Sequence, residues 1–213
     1  MDVGRTRRRG SAQRILPLVV LAAVATLVLA GCASKSEPRA TAGAAAPGTS
    51  TVAVHAYTSS GKLAVPVAAS TRGECWTTSI AAPVPNAYRC FQGDKILDPC
   101  FAPAHAAVPV EVVCLATPWA RGVLLRVSGQ LPESSDGGIA ATRPWALQLH
   151  NGVRCVASTG MVPVVAGENL AYHCADGGDA ALRPDGVDRV SADYAAAGAH
   201  TLRTMSITTM WRA

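Results

Sequence analysis

Short runs of apolar and β-branched residues, separated by glycine, proline and polar residues, dominate the second half of the chain. Residues 110–115 and 122–128 form two such runs, and residues 145–150 alternate apolar with polar side chains. The dipeptide Asn151-Gly152 follows and is a strong hairpin signal, so residues 153–157 would return as the partner strand. This pattern predicts strands rather than helices.

Further strands are expected over residues 162–165, 169–174 and 202–209, with glycines between them. A first strand is weakly indicated near Val52, and residues 191–199 fit either a short helix or a strand end. The 14 prolines disfavour long helices. The predicted fold is therefore mainly β, as an antiparallel sandwich or open barrel.

The N-terminal apolar run has a different character. Residues 15–30 are uncharged and follow a cluster of arginines, which is the layout of a secretory signal. The run ends in Leu29-Ala30-Gly31-Cys32, which resembles a bacterial lipobox. We therefore expect a signal peptide over residues 1–31 and attachment of acyl chains such as palmitate to Cys32. An uncleaved membrane anchor, or an ordinary signal peptide with an incidental cysteine, are the alternatives.

Composition changes once the expected signal is removed. The chain has 19 basic and 14 acidic residues, of which five arginines and Asp2 lie in the signal, so 14 basic and 13 acidic residues remain. A net charge of +1 without a basic cluster excludes a nucleic-acid partner. Residues 32–50, rich in Ala, Gly, Ser and Pro, are expected to form a flexible tether to a domain over residues 51–213. The expected location is the extracytoplasmic face of the cell membrane, with the membrane as partner through the lipid.

Six cysteines remain beside Cys32, and in an oxidising compartment an even number favours three disulfides. Six cysteines allow 15 pairings; we expect the sequential one, which closes short loops. A metal site is the alternative, although no two of these cysteines have the spacing of a zinc knuckle. The expected bridges are Cys75–Cys90, Cys100–Cys114 and Cys155–Cys174.

Six short motifs stand out together: Gly73-Glu74-Cys75-Trp76, Ala87-Tyr88-Arg89-Cys90, Ile96-Leu97-Asp98-Pro99-Cys100-Phe101, Pro144-Trp145-Ala146-Leu147, Asn151-Gly152-Val153-Arg154-Cys155 and Tyr172-His173-Cys174. They resemble a family of actinobacterial exported proteins and lipoproteins. The Ala- and Arg-rich composition also indicates a GC-rich genome. The resemblance implies an envelope lipoprotein domain and supplies no catalytic residues.

Candidate chemistry is sparse. No G-x-S-x-G or H-E-x-x-H motif occurs, and a disulfide at Cys174 would remove the thiolate that a pair with His173 needs. We read the other histidines as surface or strand-edge residues: His55, His105, His150 and His200. An acidic stretch could serve acid–base chemistry or calcium, but it lacks the EF-hand order and reads as a solvated turn: Asp176, Asp179, Asp185 and Asp188.

Four tryptophans form the candidate ligand surface, although in a domain with only two Phe residues the favoured interpretation is that they fill the core. They are Trp76, Trp119, Trp145 and Trp211. We expect no cofactor, no metal and no catalytic residue, and hence a non-enzymatic domain that binds or scaffolds an envelope component or another envelope protein. The alternative is a lipid-anchored hydrolase acting on cell-wall polymer or esters. A third class, an inhibitor or sensor, would project the proline-rich loop 81–86.

Overall fold

The computed structural model describes residues 48–105, 110–134, 138, 142–183 and 190–213. Cys32, the expected signal peptide and the expected tether up to residue 47 lie outside these residues, as do Asp185 and Asp188. The first strand, β1 (Ser50–Ala53), begins one residue before the predicted domain boundary. Within the described residues, no helix is long and apolar enough to cross a membrane.

The next five strands follow each other up and down and close into a first barrel. They are β2 (Val67–Thr78), β3 (Ala87–Gln92), β4 (Lys95–Phe101), β5 (Glu111–Cys114) and β6 (Gly122–Val127). Consecutive strands pair antiparallel, whereas β2 and β6 pair in parallel. The parallel pair follows from parity, because an odd number of alternating strands leaves the first and last pointing the same way.

The interior of the first barrel is small and rich in sulfur. Alternation along β5 turns Val112 and Cys114 into this interior, while Val113 faces the opposite side. The long strand β2 passes close to its neighbours at Gly73, where a Cβ atom would overlap the carbonyl oxygen of Phe91 and the Leu125 side chain. Glycine is therefore required at this point of β2.

Six later strands form a second ring, with a two-stranded hairpin inserted between its second and third members. The ring comprises β7 (Ala146–Leu149), β8 (Arg154–Ala157), β11 (Tyr172–Cys174), β12 (Asp179–Arg183), β13 (Ser191–Ala195) and β14 (Arg203–Arg212), and the hairpin comprises β9 (Val164–Val165) and β10 (Glu168–Asn169). The antiparallel pairing of β14 with β7 closes the ring. Six is even, so every pair in it is antiparallel, while β1 adds to β14 in parallel.

Large apolar side chains alternating with alanines fill the second barrel. Leu147 and Leu149 point inward from β7 among Tyr172, Tyr194 and Ile207, all at most 3% exposed. The same cluster extends to one face of the first barrel through Phe101, whose ring centroid lies 5.9 Å from that of Trp145. The two barrels therefore share a continuous apolar contact.

Three disulfides join directly opposed residues of neighbouring strands, in the sequential pairing that we predicted. They are Cys75–Cys90 between β2 and β3, Cys100–Cys114 between β4 and β5, and Cys155–Cys174 between β8 and β11. The mainly β, disulfide-bonded fold is thereby confirmed. The structure adds that the strands form two closed rings.

Most strands predicted in the second half are present, with three differences. Residues 191–199 begin with strand β13, and the predicted strand over residues 169–174 is split between β10 and β11. In the turn after β7, Gly152 alone has a positive φ, of 85°, and the amide of Gly152 donates to the carbonyl of Leu149. The loop therefore has three residues rather than a two-residue turn centred on Asn151-Gly152.

Candidate ligand-binding groove

The connector between β1 and β2 folds into a small hairpin that forms one wall of a groove. Tyr57 and Leu63 pair across it, and the amide of Ala64 donates to the carbonyl of Ala56 at 2.9 Å. At its tip Gly61 has a φ of 76°, which glycine adopts without steric cost. The connector is thereby ordered despite its exposed polar residues.

The groove has a volume of about 650 Å³ and lies between this connector, the loop before β3, the end of β4 and the last residue of the chain. Its walls are largely apolar, with a few polar side chains. The lining residues are Val54, His55, Ala56, Tyr57, Thr58, Ser59, Ala64, Val84, Pro85, Asn86, Phe101, Ala102, Ala104 and Ala213. An apolar cleft of this size with a few oriented polar groups is the usual form of a small-ligand site.

Tyr57 is the most constrained polar group of the groove. Its hydroxyl donates to the backbone carbonyl of Glu111 at 3.3 Å. Burial, reinforced by the negative charge of Glu111, raises the pKa of Tyr57 to about 12. Like any tyrosine the phenol is neutral at physiological pH, and the raised pKa keeps it neutral into alkali, so it acts as a fixed hydrogen-bonding group.

A buried carboxylate fixes the loop on the opposite wall. Asp98 accepts hydrogen bonds from the Ser79 hydroxyl at 2.5 Å and from the amides of Ile80 and Ala81 at 3.2 and 3.4 Å. Burial raises the pKa of Asp98, and these donors together with Arg89 partly oppose that rise. Asp98 thus anchors the start of the loop that supplies Val84, Pro85 and Asn86 to the groove.

The proline-rich loop 81–86 does not project from the surface. Ala81 and Ala82 are 1% and 2% exposed and pack into the cluster shared by the two barrels. The amide of Asn86, at a φ of 60°, donates to the Ser134 hydroxyl at 2.9 Å. The loop is a wall of the groove and lacks the extended shape of an inhibitory loop.

The four tryptophans do not form one surface. Trp119 and Trp211 meet edge to face with centroids 5.0 Å apart, and Arg154 lies 4.9 Å from the Trp119 centroid. Trp76 belongs to a different face, described below, and Trp145 is only 1% exposed in the core. Aromatic counting in the sequence could not separate these three environments.

Of the predicted histidines and acidic residues, His173, Asp176 and Asp179 form local contacts, whereas the other histidines are exposed: His55, His105, His150 and His200. His173 Nδ1 lies 3.1 Å from a carboxylate oxygen of Asp179, and Asp176 accepts a 2.6 Å hydrogen bond from the Tyr194 hydroxyl. That bond lowers the pKa of Asp176 and raises the pKa of Tyr194. Asp176 also accepts from the amide of Gly178 at 3.1 Å, as expected of a solvated turn.

Three cysteine sulfurs of the first barrel lie within 4.8 Å of one another: Cys90, Cys100 and Cys114. All three belong to disulfides, and a metal ligand must be a thiolate, so the oxidised chain holds no thiolate at this cluster.

Sequence reasoning missed Tyr57, Asp98 and Arg89 as organising residues. Arg89 and Asp98 stand one and two residues before strand cysteines in two of the quoted motifs, but these positions do not indicate the loop that Asp98 holds. In comparisons with known proteins, no family model, curated protein or solved structure matches this chain.

Proposed function

We propose that this chain is a lipid-anchored domain on the extracytoplasmic face of the cell membrane, and that it binds a ligand in the groove without transforming it. The lipobox-like Leu29-Ala30-Gly31-Cys32 supports the anchor. Three disulfides support an oxidising compartment, because such bridges persist outside the cytosol.

The groove is the observation that carries the binding role. It combines an apolar wall formed by Val84, Pro85 and Phe101 with the neutral hydroxyl of Tyr57 and the exposed ring of His55. Such a site suits a small, largely apolar ligand, or an apolar side chain of a peptide, that also carries a hydrogen-bonding group. The disulfides keep the surrounding strands rigid, which lowers the entropic cost of binding.

Filling the groove tests this proposal. Ala64 lines the groove, whereas Ala196 is exposed in the turn between β13 and β14. The full chain should enhance the fluorescence of the apolar dye N-phenyl-1-naphthylamine, and Ala64→Trp should abolish most of that enhancement. Ala196→Trp, a matched control of equal size, should leave it unchanged. Equal enhancement by all three proteins would refute a binding groove.

The anchor is tested separately in cells. Cys32→Ala should release the protein from the membrane fraction or leave an unprocessed precursor, because no residue then accepts the lipid. Cys32→Ala protein that is processed and retained as efficiently as the native chain would refute lipidation at this position.

Hydrolysis is the second candidate, and one observation favours it: His55 and Ser59 line the same groove. A hydrolase needs a hydroxyl activated by a base. The hydroxyl of the neighbouring Thr58 forms a hydrogen bond of 2.9 Å with the Ser60 hydroxyl and accepts a second one from the amide of Lys62. Turnover of 4-nitrophenyl butyrate that is lost in both Ser59→Ala and His55→Ala would establish this candidate in place of simple binding.

A further inference from the structure

Large exposed apolar side chains are unevenly distributed over the described residues. Three of them, Trp76, Phe91 and Ile96, occupy the consecutive strands β2, β3 and β4 and are 39%, 39% and 48% exposed. Phe91 pairs directly with Ile96 across the sheet, and the Trp76 ring stacks on Phe91 with centroids 3.9 Å apart. They form one continuous outer surface of the first barrel.

Backbone hydrogen bonds to Arg89 and Asp98, which form an ion pair, hold two segments that carry further exposed apolar residues beside this surface. Asp98, which accepts from the amide of Ile80, lies 3.7 Å from Nε of Arg89, and Ile80 is 45% exposed. The guanidinium of Arg89 lies 5.5 Å from the Trp76 centroid and donates to the carbonyl of Thr159 at 2.7 Å, two residues before Met161. Met161 is 98% exposed. We call Trp76, Ile80, Phe91, Ile96 and Met161 the apolar face.

Isolated exposed hydrophobic residues are ordinary, whereas a contiguous set marks an interaction surface. Trp and Phe are also the residues that settle at the boundary between a bilayer and water, because their rings are apolar and polarisable. The chain from Cys32 to Ser50 spans 18 positions and reaches at most about 60 Å when fully extended. A lipid at Cys32 would therefore keep Ser50, where the described domain begins its first strand, within about 60 Å of the bilayer.

We infer that the apolar face docks on the surface of the phospholipid bilayer that holds the acyl chains of Cys32. The inference rests on the proposed anchor. Charges beside the face nearly balance, with Arg72, Lys95 and Arg143 against Glu74 and Asp94; Arg143 donates to the carbonyl of Ile80 at 3.3 Å. Contact is therefore apolar rather than directed at anionic headgroups, so it occurs on zwitterionic lipid and changes little with salt.

Quenching by brominated lipid measures this contact. The lipidated full chain is reconstituted into phosphatidylcholine vesicles whose acyl chains carry bromine, and vesicle flotation reports anchoring independently. Tryptophan emission should be quenched in the native chain, and Trp76→Leu should remove most of the quenching. Phe91→Ser/Ile96→Ser keeps Trp76 but should also lose most of it. Val52→Ser, at an exposed position on β1, is the control and should retain it.

The outcomes separate the two proposals. Flotation without quenching, or quenching unaffected by Trp76→Leu, would overturn docking while leaving the anchor intact. Native chain that fails to float would overturn the anchor and the docking with it. A change in Trp76 emission caused by soluble cell-wall glycan instead of brominated lipid would assign the apolar face to a sugar and overturn the bilayer. Quenching that disappears at 1 M salt would contradict the apolar mode of contact.

Discussion

The interiors of the two barrels are filled by different kinds of side chain. Four of the ten buried residues in the interior cluster of the first barrel are half-cystines, accompanied by Val112 and Leu125. The second barrel has a single bridge and instead packs Trp145, Tyr172, Ile207 and several leucines and methionines. A narrow five-stranded ring has little room for large side chains, so cross-links replace apolar bulk there.

Their outer surfaces differ as well. The first barrel carries Trp76, Phe91 and Ile96 in the open on three adjacent strands. On the described strands of the six-stranded ring, polar contacts take that place: Arg183 donates twice to Asp193 at 3.0 Å, and Thr204 donates to the same carboxylate. The interior that depends on disulfides thus belongs to the barrel that carries the apolar face.

The largest expected effect comes from removing both bridges of the first barrel. Each closes a loop of about 15 residues, worth about 3 kcal/mol, so loss of both costs about 6 kcal/mol, comparable with the whole stability of a domain. A variant with alanine at Cys75, Cys90, Cys100 and Cys114 should lose amide protection in β2 to β6. Hydrogen exchange with mass spectrometry measures this strand by strand.

The matched control is Cys155→Ala/Cys174→Ala in the second barrel. It should lower protection mainly in β8 and β11, because the apolar interior still holds the ring closed. Equal collapse of both barrels in either variant would mean that the difference in interior material has no energetic consequence.

The strands of the second barrel could be predicted from the sequence better than those of the first. Alternating Leu147 and Leu149, and the glycine after Asn151, are local signals that survive in the structure. In the first barrel the long strand β2 has a mixed pattern with Gly73 inside it, and its parallel partner β6 lies about 55 residues further along the chain. Such a pairing depends on ring closure, which no local pattern contains.

Local sequence patterns could not predict the groove for the same reason. Its walls come from the connector at Tyr57, the loop at Val84 and the chain end at Ala213, which only the packing of both barrels brings together. The disulfides, in contrast, were predictable because each joins cysteines that are consecutive in the sequence and closes a short loop. Trp145 and Trp76 look alike in sequence, and their opposite burial follows from which side of a strand faces the core.

The contact between the barrels is the site of the next largest effect. Trp145 is buried against Phe101, and replacing it with alanine should cost about 3 to 5 kcal/mol through lost burial and a cavity. Urea unfolding should then show two separated transitions, because the barrels no longer stabilise each other. Ile96→Ala, at a 48% exposed position on the outer surface of the first barrel, is the control and should cost less than about 1 kcal/mol. A single transition at unchanged midpoint in Trp145→Ala would show that this contact does not couple the barrels.

The smallest expected effect is that of high pH, which should reverse the order in which the two barrels lose stability. The buried Tyr172 hydroxyl donates to the carbonyl of Pro144 at 2.7 Å, and burial raises the pKa of Tyr172 to about 12. Because the folded state favours the neutral phenol, its contribution is complete below pH 10, the ordinary tyrosine value, and is lost as pH rises towards 12. The hydrogen bond to Asp176 also raises the pKa of Tyr194 in β13, whereas in the described part of the first barrel only the hydrogen bond from Tyr57 to β5 makes a contribution of this kind. Alkali should therefore weaken the second barrel first, whereas loss of bridges weakens the first.

Tyr172→Phe isolates this contribution. It should cost about 1 kcal/mol at pH 8, from the lost hydrogen bond, and should flatten the decline in urea midpoint between pH 10 and pH 11.5. Tyr57, whose pKa is also raised to about 12, donates to the carbonyl of Glu111 in the first barrel. Tyr57→Phe should therefore leave amide protection in β7 to β14 unchanged at pH 8 and at pH 11.5. A free-thiol assay on each alkaline sample confirms that the bridges are intact. If β2 to β6 lose protection before β7 to β14 in alkali with all bridges intact, the difference between the barrels lies in overall stability rather than in interior chemistry.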